Sequence, residues 1–392
     1  MGREHGGNLS YWNMREFREG MAAEQISEYT LYSDSRIIGE YCCPASPYRF
    51  INLIPFHHEP GEIREVLTLR ISWVINAERK FGTSTDWTSY HGGWASDELA
   101  ALASLRLGVR LKAGGETRIF RAYSEDPLGT PIASREGKPD VLLRSQRLVL
   151  PSVFNESNLE SLQAIDPLRN VSESQFTALV RSARQFQSAI WIAESEPELA
   201  WLLLVSAIET AANEWSSSLD TNISPQDMLL EIKPEFSKQI IESGGAETHA
   251  IVANELTRTL RATKKFLDFC IEFLPQPPKQ RPPVGAQINW DKKHLKKILN
   301  KIYSYRSLAL HEGIPFPAPL CRAPDIIEED GRISHAETGT LALAVHALGA
   351  SWRSDDLPIS MNAFCHLVQG TLNNWWDKIG VSNAAPSLAQ RS

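Results

Sequence analysis

The sequence predicts an α+β protein in which a sheet-rich N-terminal domain is followed by an all-α helical bundle. From about residue 30 to 150, short β-branched or alternating runs are broken by Gly and Pro, a pattern typical of strands and turns. Beyond that point strand patterns nearly vanish, and long stretches with helical spacing follow one another. The predicted domains are 1–150, a connector 151–172, the helical domain 173–380 and a flexible tail 381–392.

Five runs in the N-terminal half predict strands: SRIIGEY, RFINLIPF, EVLTLRISWVI, TRIFRAY and DVLLRSQRLVLP, the last spanning 140–151. One helix interrupts them at SDELAALASLRLG, where Ser96 or Asp97 caps the start and Gly108 ends it. The glycine-rich SYHGGW contains His91, and we interpret it as a tight turn whose Trp94 packs beneath the sheet. The family and role of this half stay open.

The C-terminal half carries the helical candidates. The Pro-rich segment 274–287 cannot continue a helix and is predicted to be a loop between two long helices. The predicted helices are 173–194, 197–216, 225–242, 246–274, 290–311, 335–352 and 360–378.

Composition excludes several classes of protein. A formal charge of −7 argues against a chain that coats nucleic acid over its whole surface, although a local basic patch remains compatible. The apolar run LAWLLLVSAI is far shorter than the roughly 20 residues of a membrane span. The N-terminus lacks a secretory signal, and the five cysteines form no CxxC pair. We expect a soluble, cytoplasmic protein without a cofactor.

No metal site is predicted either. His57 and His58 are adjacent, and neighbouring side chains on a strand point to opposite faces. No cysteine or acidic residue stands at a ligand-like spacing from them.

The helix that ends at RSLALH has an unusual residue on its apolar face. Leu295, Ile298, Leu299 and Ile302 fall at i, i+3, i+4 and i+7, which marks one face of a helix. Arg306 continues that face four residues later. Burying a guanidinium costs several kcal/mol unless anionic or hydrogen-bonding groups meet it. The pattern therefore predicts a polar niche within an apolar seam.

His311 stands where this helix is predicted to stop. Gly313 is a natural residue to follow a helix end, and Pro315 prevents continuation. On a continuous helix Arg306 and His311 would point well apart, whereas a histidine in a frayed last turn can swing back toward the arginine. The alternative is an arginine that pairs with a carboxylate and a histidine that merely caps the helix.

Arg306 and His311 form an R-x4-H element that resembles the signature of HEPN domains, specifically the Apea-like HEPN group. The upstream helix EPELAWLLLVSAIETAANEW and the run HEGIP also resemble that group. The resemblance covers roughly residues 172–378. It implies a HEPN-like helical bundle and a metal-independent endoribonuclease that works as a dimer, with two Arg/His pairs facing each other. Many relatives serve in bacterial anti-phage or toxin systems.

The resemblance leaves an alternative open. Active members often carry Asn, Asp or His directly after the arginine, and this chain has Ser307. Some members only bind, so the alternative is an inactive module that binds RNA or nucleotide and dimerises as a sensor or scaffold. A third hypothesis is an unrelated hydrolase with its site near His91 or His57.

RNA cleavage by its own 2′-hydroxyl needs a base, an acid and positive charge at the phosphorane. His311 suits proton transfer, and Arg306 suits the charge because its planar fork binds phosphate oxygens at two points. One histidine cannot readily be base and acid in the same step, so a dimer supplies the second. Glu209 is predicted to hold Arg306 in its productive rotamer; the alternative is an exposed Glu209 bonded to a lysine.

Substrate binding is assigned to the basic stretch before the motif. Residues 261–306 contain 11 Lys and Arg against 3 acids, and such a stripe attracts phosphates. Tyr305 and Tyr303 are candidates to stack a base, with packing as the alternative. The predicted partners are RNA, a second copy of the chain, and a trigger protein or nucleotide sensed by the N-terminal domain. The predicted substrate-binding residues are Lys293, Lys297, Lys301 and Tyr305.

Overall fold

The computed structural model describes residues 7–53, 59–75, 85–122, 124, 126–133, 137–217 and 223–382. The chain forms two compact units: unit 1 comprises Met1–Ala207 with Leu372–Ser392, and unit 2 comprises Ile208–Thr371. The domain boundaries predicted from the sequence stay predictions. His57 and His58 lie outside the described residues, as does the predicted tail from residue 383 onward.

Within the described residues, unit 1 is built on a six-stranded antiparallel sheet with the order β3-β4-β5-β1-β6-β7. β5 shows why this sequence forms strands, because Leu67, Leu69 and Ile71 alternate with polar residues and are fully buried. The strands are β1 Gln25–Ser33, β2 Ile37–Ile38, β3 Tyr41–Cys42, β4 Tyr48–Asn52, β5 Arg64–Trp73, β6 Lys112–Arg121, β7 Thr130–Pro131 and β8 Ser157–Asn158.

Among the described residues, helices that accompany this sheet include α1 Leu9–Glu16, α2 Ala95–Leu107 and α3 Glu173–Ile192. α2 packs against β6 and α3. The predicted helix at α2 is confirmed, and Gly108 ends it with φ of 70°. The predicted cap residue is wrong, because Trp94 is the N-cap and Asp97, within the first turn, accepts its amide at 2.9 Å.

Two predictions in unit 1 are wrong. Trp94 does not pack beneath the sheet, because its side chain is 53% exposed. The predicted strand at 140–151 is also absent: residues 140–150 contain no strand, and Pro151–Val153 forms a 3-10 turn. Side chains bind the backbone there, since Trp191 donates to the Asp140 carbonyl at 2.7 Å and Glu194 accepts the Val149 amide at 2.7 Å. A strand ladder is therefore not needed to satisfy these groups.

A mostly helical C-terminal half follows the sheet-rich region, as predicted. Two predicted helices have wrong bounds. Residues 225–242 are broken at Lys233 because Pro234 starts a new helix, and 246–274 is broken at Leu256. Gly245, with φ of 73°, kinks the intervening helix. The helices are α4 Pro197–Ser217, α5 Pro225–Ile232, α6 Pro234–Glu255, α7 Thr257–Glu272, α8 Lys292–His311 and α9 Met361–Ser382.

The helix predicted at 335–352 is wrong, and the C-terminal half is not all-α. Two antiparallel hairpins lie here in chain order: the first ends at His335, where the predicted helix begins, and the second lies almost entirely within the predicted range. In the second, Leu348 and Gly349 have φ of 48° and 81°, which is the geometry of a tight two-residue turn. The hairpin strands are β9 Ile326–Glu329, β10 Arg332–His335, β11 Ala344–Ala347 and β12 Ala350–Arg353.

Candidate active site around Arg306

Helix α8 carries the candidate site, and its sequence explains its bounds. Asp291 caps the start by accepting the His294 amide at 2.9 Å. Past the end, Gly313 takes the left-handed conformation with φ of 67°, and the Ile314 amide donates to the Leu308 carbonyl at 3.3 Å. The predicted apolar face is confirmed by four buried side chains, Leu295, Ile298, Leu299 and Ile302.

Arg306 lies in a polar niche formed with Glu209 of α4. Its Nη2 is 2.7 Å from Glu209 Oε2, which confirms the predicted contact. Their side chains are 20% and 17% exposed, so the pair is mostly removed from water. The alternative of an exposed Glu209 bonded to lysine is wrong. Glu209 neutralises the arginine and holds one edge of its guanidinium.

Tyr303 is a third member of the niche. Its hydroxyl donates to Glu209 Oε1 at 2.8 Å, so both carboxylate oxygens are occupied. The ring centroid lies 5.6 Å from Arg306 Cζ and 4.9 Å from the Phe266 ring centroid. Burial, together with the charge of Glu209, raises the pKa of Tyr303, so the phenol stays a donor. This buried ring contacts the arginine and the core, in line with the packing alternative.

Arg306 keeps unused donors. Among the described residues, Glu209 is the only hydrogen-bond partner of its guanidinium, and Nε is buried without a partner. Buried donors without partners are rare in native proteins. The guanidinium is therefore oriented by one carboxylate; Nε is closed to solvent, whereas Nη1 has no partner among the described residues and stays available to an anion.

His311 does not meet Arg306 within the chain. α8 runs through His311, so the expected frayed turn that would let it swing back is not present. At 100° per residue the two side chains leave the helix about 140° apart. His311 is exposed and makes no hydrogen bond or ion pair in the described part of the chain. One chain therefore presents the two motif residues in different directions.

The predicted substrate-binding residues fall into two groups. Lys293 and Lys297 are exposed and have no ion pair with any described residue. Lys301 is paired with Asp356 at 2.7 Å. Burial alone would lower the pKa of Lys301, but its bond to Asp356 outweighs this and raises it. Tyr305 donates to the Asp356 carbonyl at 2.7 Å and packs edge-on against Phe316, so packing occupies this ring.

Carboxylates from outside the stretch reduce the charge of the basic stretch. Five of its 11 cations are in ion pairs with residues beyond it, which leaves a smaller free positive surface than the sequence implies. Glu231 binds two of them and has a lowered pKa because, although its burial opposes this, both lysine bonds favour the anion. The five are Lys264, Arg281, Lys296, Lys301 and Arg306, bound by Glu231, Glu337, Asp356 and Glu209.

Comparison of the chain with protein-family models, curated proteins and solved structures finds no match. In the described ranges, no three His, Cys, Asp or Glu side chains gather as a metal site would require. No helix among these residues combines the length and apolarity needed to cross a bilayer.

Proposed function

We propose that the protein is a metal-independent endoribonuclease of the HEPN type, with a HEPN-like bundle in its helical half, active in the cytoplasm in anti-phage defence or a toxin system. The observation that carries the proposal is the Arg306 niche. A guanidinium lies on the apolar side of α8, is oriented by Glu209 and Tyr303, and retains unpaired donors. An ion pair that only stabilises the fold needs no free donors. The negatively charged phosphorane of the reaction, in contrast, needs N–H groups that bind its oxygens.

The chemistry follows from these groups. An imidazole of His311 removes the proton of the 2′-hydroxyl, and the O2′–P bond forms. The P–O5′ bond breaks, and a second imidazole in its acid form protonates the leaving O5′. Arg306 stabilises the charge on the phosphorane oxygens, and Glu209 positions Arg306. The products are a 2′,3′-cyclic phosphate and a 5′-hydroxyl.

Two copies of the chain are needed for this reaction. Because α8 directs Arg306 and His311 apart, a second copy supplies the imidazole that faces each arginine. Apolar side chains beside the motif support a contact between copies, since Leu310 and Ile314 are 51% and 49% exposed. Such half-exposed apolar residues favour burial against a partner.

Lys293 and Lys297 bind the RNA backbone in this proposal. Both lie within about 40° of His311 around α8, on the face opposite the core. They are exposed and carry no ion pair within the described residues, so they are free to meet phosphates. Lys301 and Tyr305 are held by Asp356, and we expect them to contribute less.

The second candidate function is RNA or nucleotide binding without catalysis. One observation favours it: within a chain the Arg306 charge is neutralised by Glu209 while His311 faces away. An inactive dimeric scaffold would keep the niche for stability alone.

RNA cleavage in EDTA by the purified full chain tests the proposal. Wild type is expected to release fragments with 2′,3′-cyclic phosphate ends, and Arg306→Ala and His311→Ala are each expected to lose at least a hundredfold in rate. The matched controls keep activity. Arg322→Ala removes another arginine of the helical half with a carboxylate partner, and His294→Ala removes another exposed histidine of α8.

Two results would contradict the nuclease. One is RNA binding by wild type without cleavage under any activating condition, which would establish the binding module. The other is cleavage that EDTA abolishes, because it would assign the reaction to a metal-dependent site.

A further inference from the structure

A second built site lies in unit 1, at the loop of residues 87–94 that precedes α2. Two arginines of α3 fix this loop. Arg181 donates to the carbonyls of Trp87 and Tyr90, both at 2.8 Å. Arg184 donates to the Gly92 carbonyl at 3.0 Å. The loop is therefore held in one conformation although it contains two glycines.

The side chain of His91 is buried beneath this loop, and one of its two ring nitrogens has no hydrogen-bond partner among the described residues. Its Nε2 lies 2.8 Å from Glu98 Oε1, and the two side chains are 2% and 1% exposed. The other oxygen of Glu98 accepts the Ser10 amide at 3.0 Å and also the Ser10 hydroxyl. With Nε2–H donating to Glu98, Nδ1 of the neutral imidazole is an acceptor. It is buried and has no partner in the described residues.

Two cavities lie beside this loop, and one of them is lined by His91. One of about 280 Å³ is lined by His91, Tyr90, Trp94 and Asp97 among others. A second of about 340 Å³ shares Trp94 and Asp97 with the first. Their volumes are near the lower end of small-ligand pockets, which span roughly 300–1,000 Å³. The shared wall joins an aromatic face to a carboxylate.

Large aromatic side chains are exposed on the same rigid loop. Trp87, Tyr90 and Trp94 are 71%, 69% and 53% exposed. Aromatic faces displayed on a fixed backbone are the feature with which proteins stack nucleic-acid bases, because every base offers a π-face. Tyr90 and Trp94 also line the cavity that contains His91.

We infer that this loop binds a nucleobase, which stacks on Trp94 or Tyr90 and donates hydrogen bonds from its edge to His91 Nδ1 and the Asp97 carboxylate. Both protein groups are acceptors, so the ligand is a base with an amino group. Guanine fits best, since its ring N–H and amino group are adjacent donors, and uracil fits worst. The site lies apart from Arg306 in sequence and chemistry, and its binding does not rest on the proposed cleavage.

Binding measurements on the full chain test this inference. GMP, AMP, CMP and UMP are titrated by calorimetry, and five-nucleotide RNAs of each base by fluorescence anisotropy. We expect GMP or oligo-G to bind at least tenfold more tightly than the uracil ligand. Trp94→Ala and Tyr90→Ala should each weaken binding about tenfold, a size typical of a lost base stack. His91→Gln should reduce the preference for guanine over uracil.

Two control variants show whether a loss of nucleotide binding comes from this site or from a change elsewhere in the protein. Leu142→Ala removes a 66% exposed side chain elsewhere in unit 1 and should leave binding unchanged. Arg306→Ala should also bind normally, so a failure of the nuclease proposal leaves this result intact. If His91→Gln does not fold, the two exposed aromatic variants still decide the question.

The two ligand sets distinguish the source of the base. Binding of mononucleotides alone assigns the loop to a free nucleotide, and tighter binding of oligomers assigns it to single-stranded RNA; both support the inference. It is overturned if no nucleotide or oligomer binds at millimolar concentration, in which case the aromatic loop is a surface for a protein partner. Binding that is equal in wild type, Trp94→Ala and Tyr90→Ala also overturns it.

Discussion

At the scale of single residues, the Arg306 niche shows how a cation is kept on an apolar helix face. Glu209 uses both carboxylate oxygens, one for Arg306 and one for Tyr303, so a single carboxylate neutralises the cation and binds the phenol. Periodicity alone places Arg306 and Glu209 toward the core, which is why their contact could be predicted. The hydroxyl of Tyr303 could not be assigned, because a tyrosine suits packing, stacking and hydrogen bonding equally.

The first prediction concerns Glu209. Glu209→Ala should lower the free energy of unfolding by about 1–3 kcal/mol, since Arg306 and Tyr303 both lose their partner in a mostly buried site. Urea denaturation measures the change. Glu214→Ala on the same helix is the control, expected within about 0.5 kcal/mol of wild type because the Glu214 carboxylate has no partner among the described residues. Equal effects of the two variants would show that the niche contributes nothing to stability.

The second prediction concerns a buried ion cluster in unit 1. Arg110 is fully buried and binds Asp34 at 2.7 Å and Glu194 at 2.9 Å. Arg110→Met should cost about 3–5 kcal/mol because two carboxylates remain buried without their cation. The control is Arg144→Met, which removes a 60% exposed partner of Glu196 and should change stability by less than about 1 kcal/mol. Thermal and urea unfolding measure the loss of stability. A loss of less than about 1 kcal/mol in Arg110→Met would mean that water enters the cluster and solvates the two carboxylates.

At the scale of elements, the sequence predicts those whose pattern is set by burial on one face. α2, α3, α4 and α8 follow their apolar periodicity closely. β1, the central strand, was not predicted because its buried positions include Ser27 and Ser33. Ser27 is satisfied by the Trp73 indole at 3.1 Å, a contact that no local pattern reveals.

The helix predicted at residues 335–352 is wrong for a different reason. Residues 335–352 are rich in Ala and Leu, which favours helix by propensity. Turn geometry decides the structure instead, since Leu348 and Gly349 in the hairpin within this range both have positive φ. Just upstream, Asp330 and Gly331 form the turn of the first hairpin, and an Asp-Gly pair is a strong hairpin signal that was present in the sequence.

The third prediction follows from the second hairpin. Leu348 has φ of 48° and is 92% exposed, so it carries backbone strain without packing in return. Leu348→Asn should stabilise the turn by about 0.5–1 kcal/mol, seen as slower amide exchange in β11 and β12. Leu343→Asn, at a site 89% exposed without positive φ, should give no such gain. Faster exchange in Leu348→Asn would contradict this turn geometry.

The fourth prediction concerns the end of α8. Gly313→Ala should cost about 1 kcal/mol, because φ of 67° is unfavourable for a residue with a Cβ even where space is open. Gly285→Ala, also in open space but without positive φ, is the control and should be neutral or slightly stabilising. The urea concentrations at the unfolding midpoints of the two variants measure the difference in stability. If Gly313→Ala is neutral, the chain does not leave α8 through a left-handed residue at position 313.

At the scale of the whole molecule, the two units carry different chemistry. Unit 2 holds the Arg306 niche and the exposed His311, and unit 1 holds the aromatic loop over His91. The candidate catalytic residues could be predicted because a helix motif is local in sequence. The pairing of lysines with distant carboxylates and the buried His91–Glu98 contact could not, because both depend on tertiary approach.

The central claim is that one active site is assembled from two copies of the chain. Mixing wild type with increasing amounts of His311→Ala at constant total protein, and assaying RNA cleavage in EDTA, tests it most directly. We predict that the rate falls with the square of the wild-type fraction, because a mixed dimer holds a single His311 imidazole and cannot supply both base and acid. A rate that falls in direct proportion to the wild-type fraction, while mass spectrometry detects mixed dimers, would contradict it.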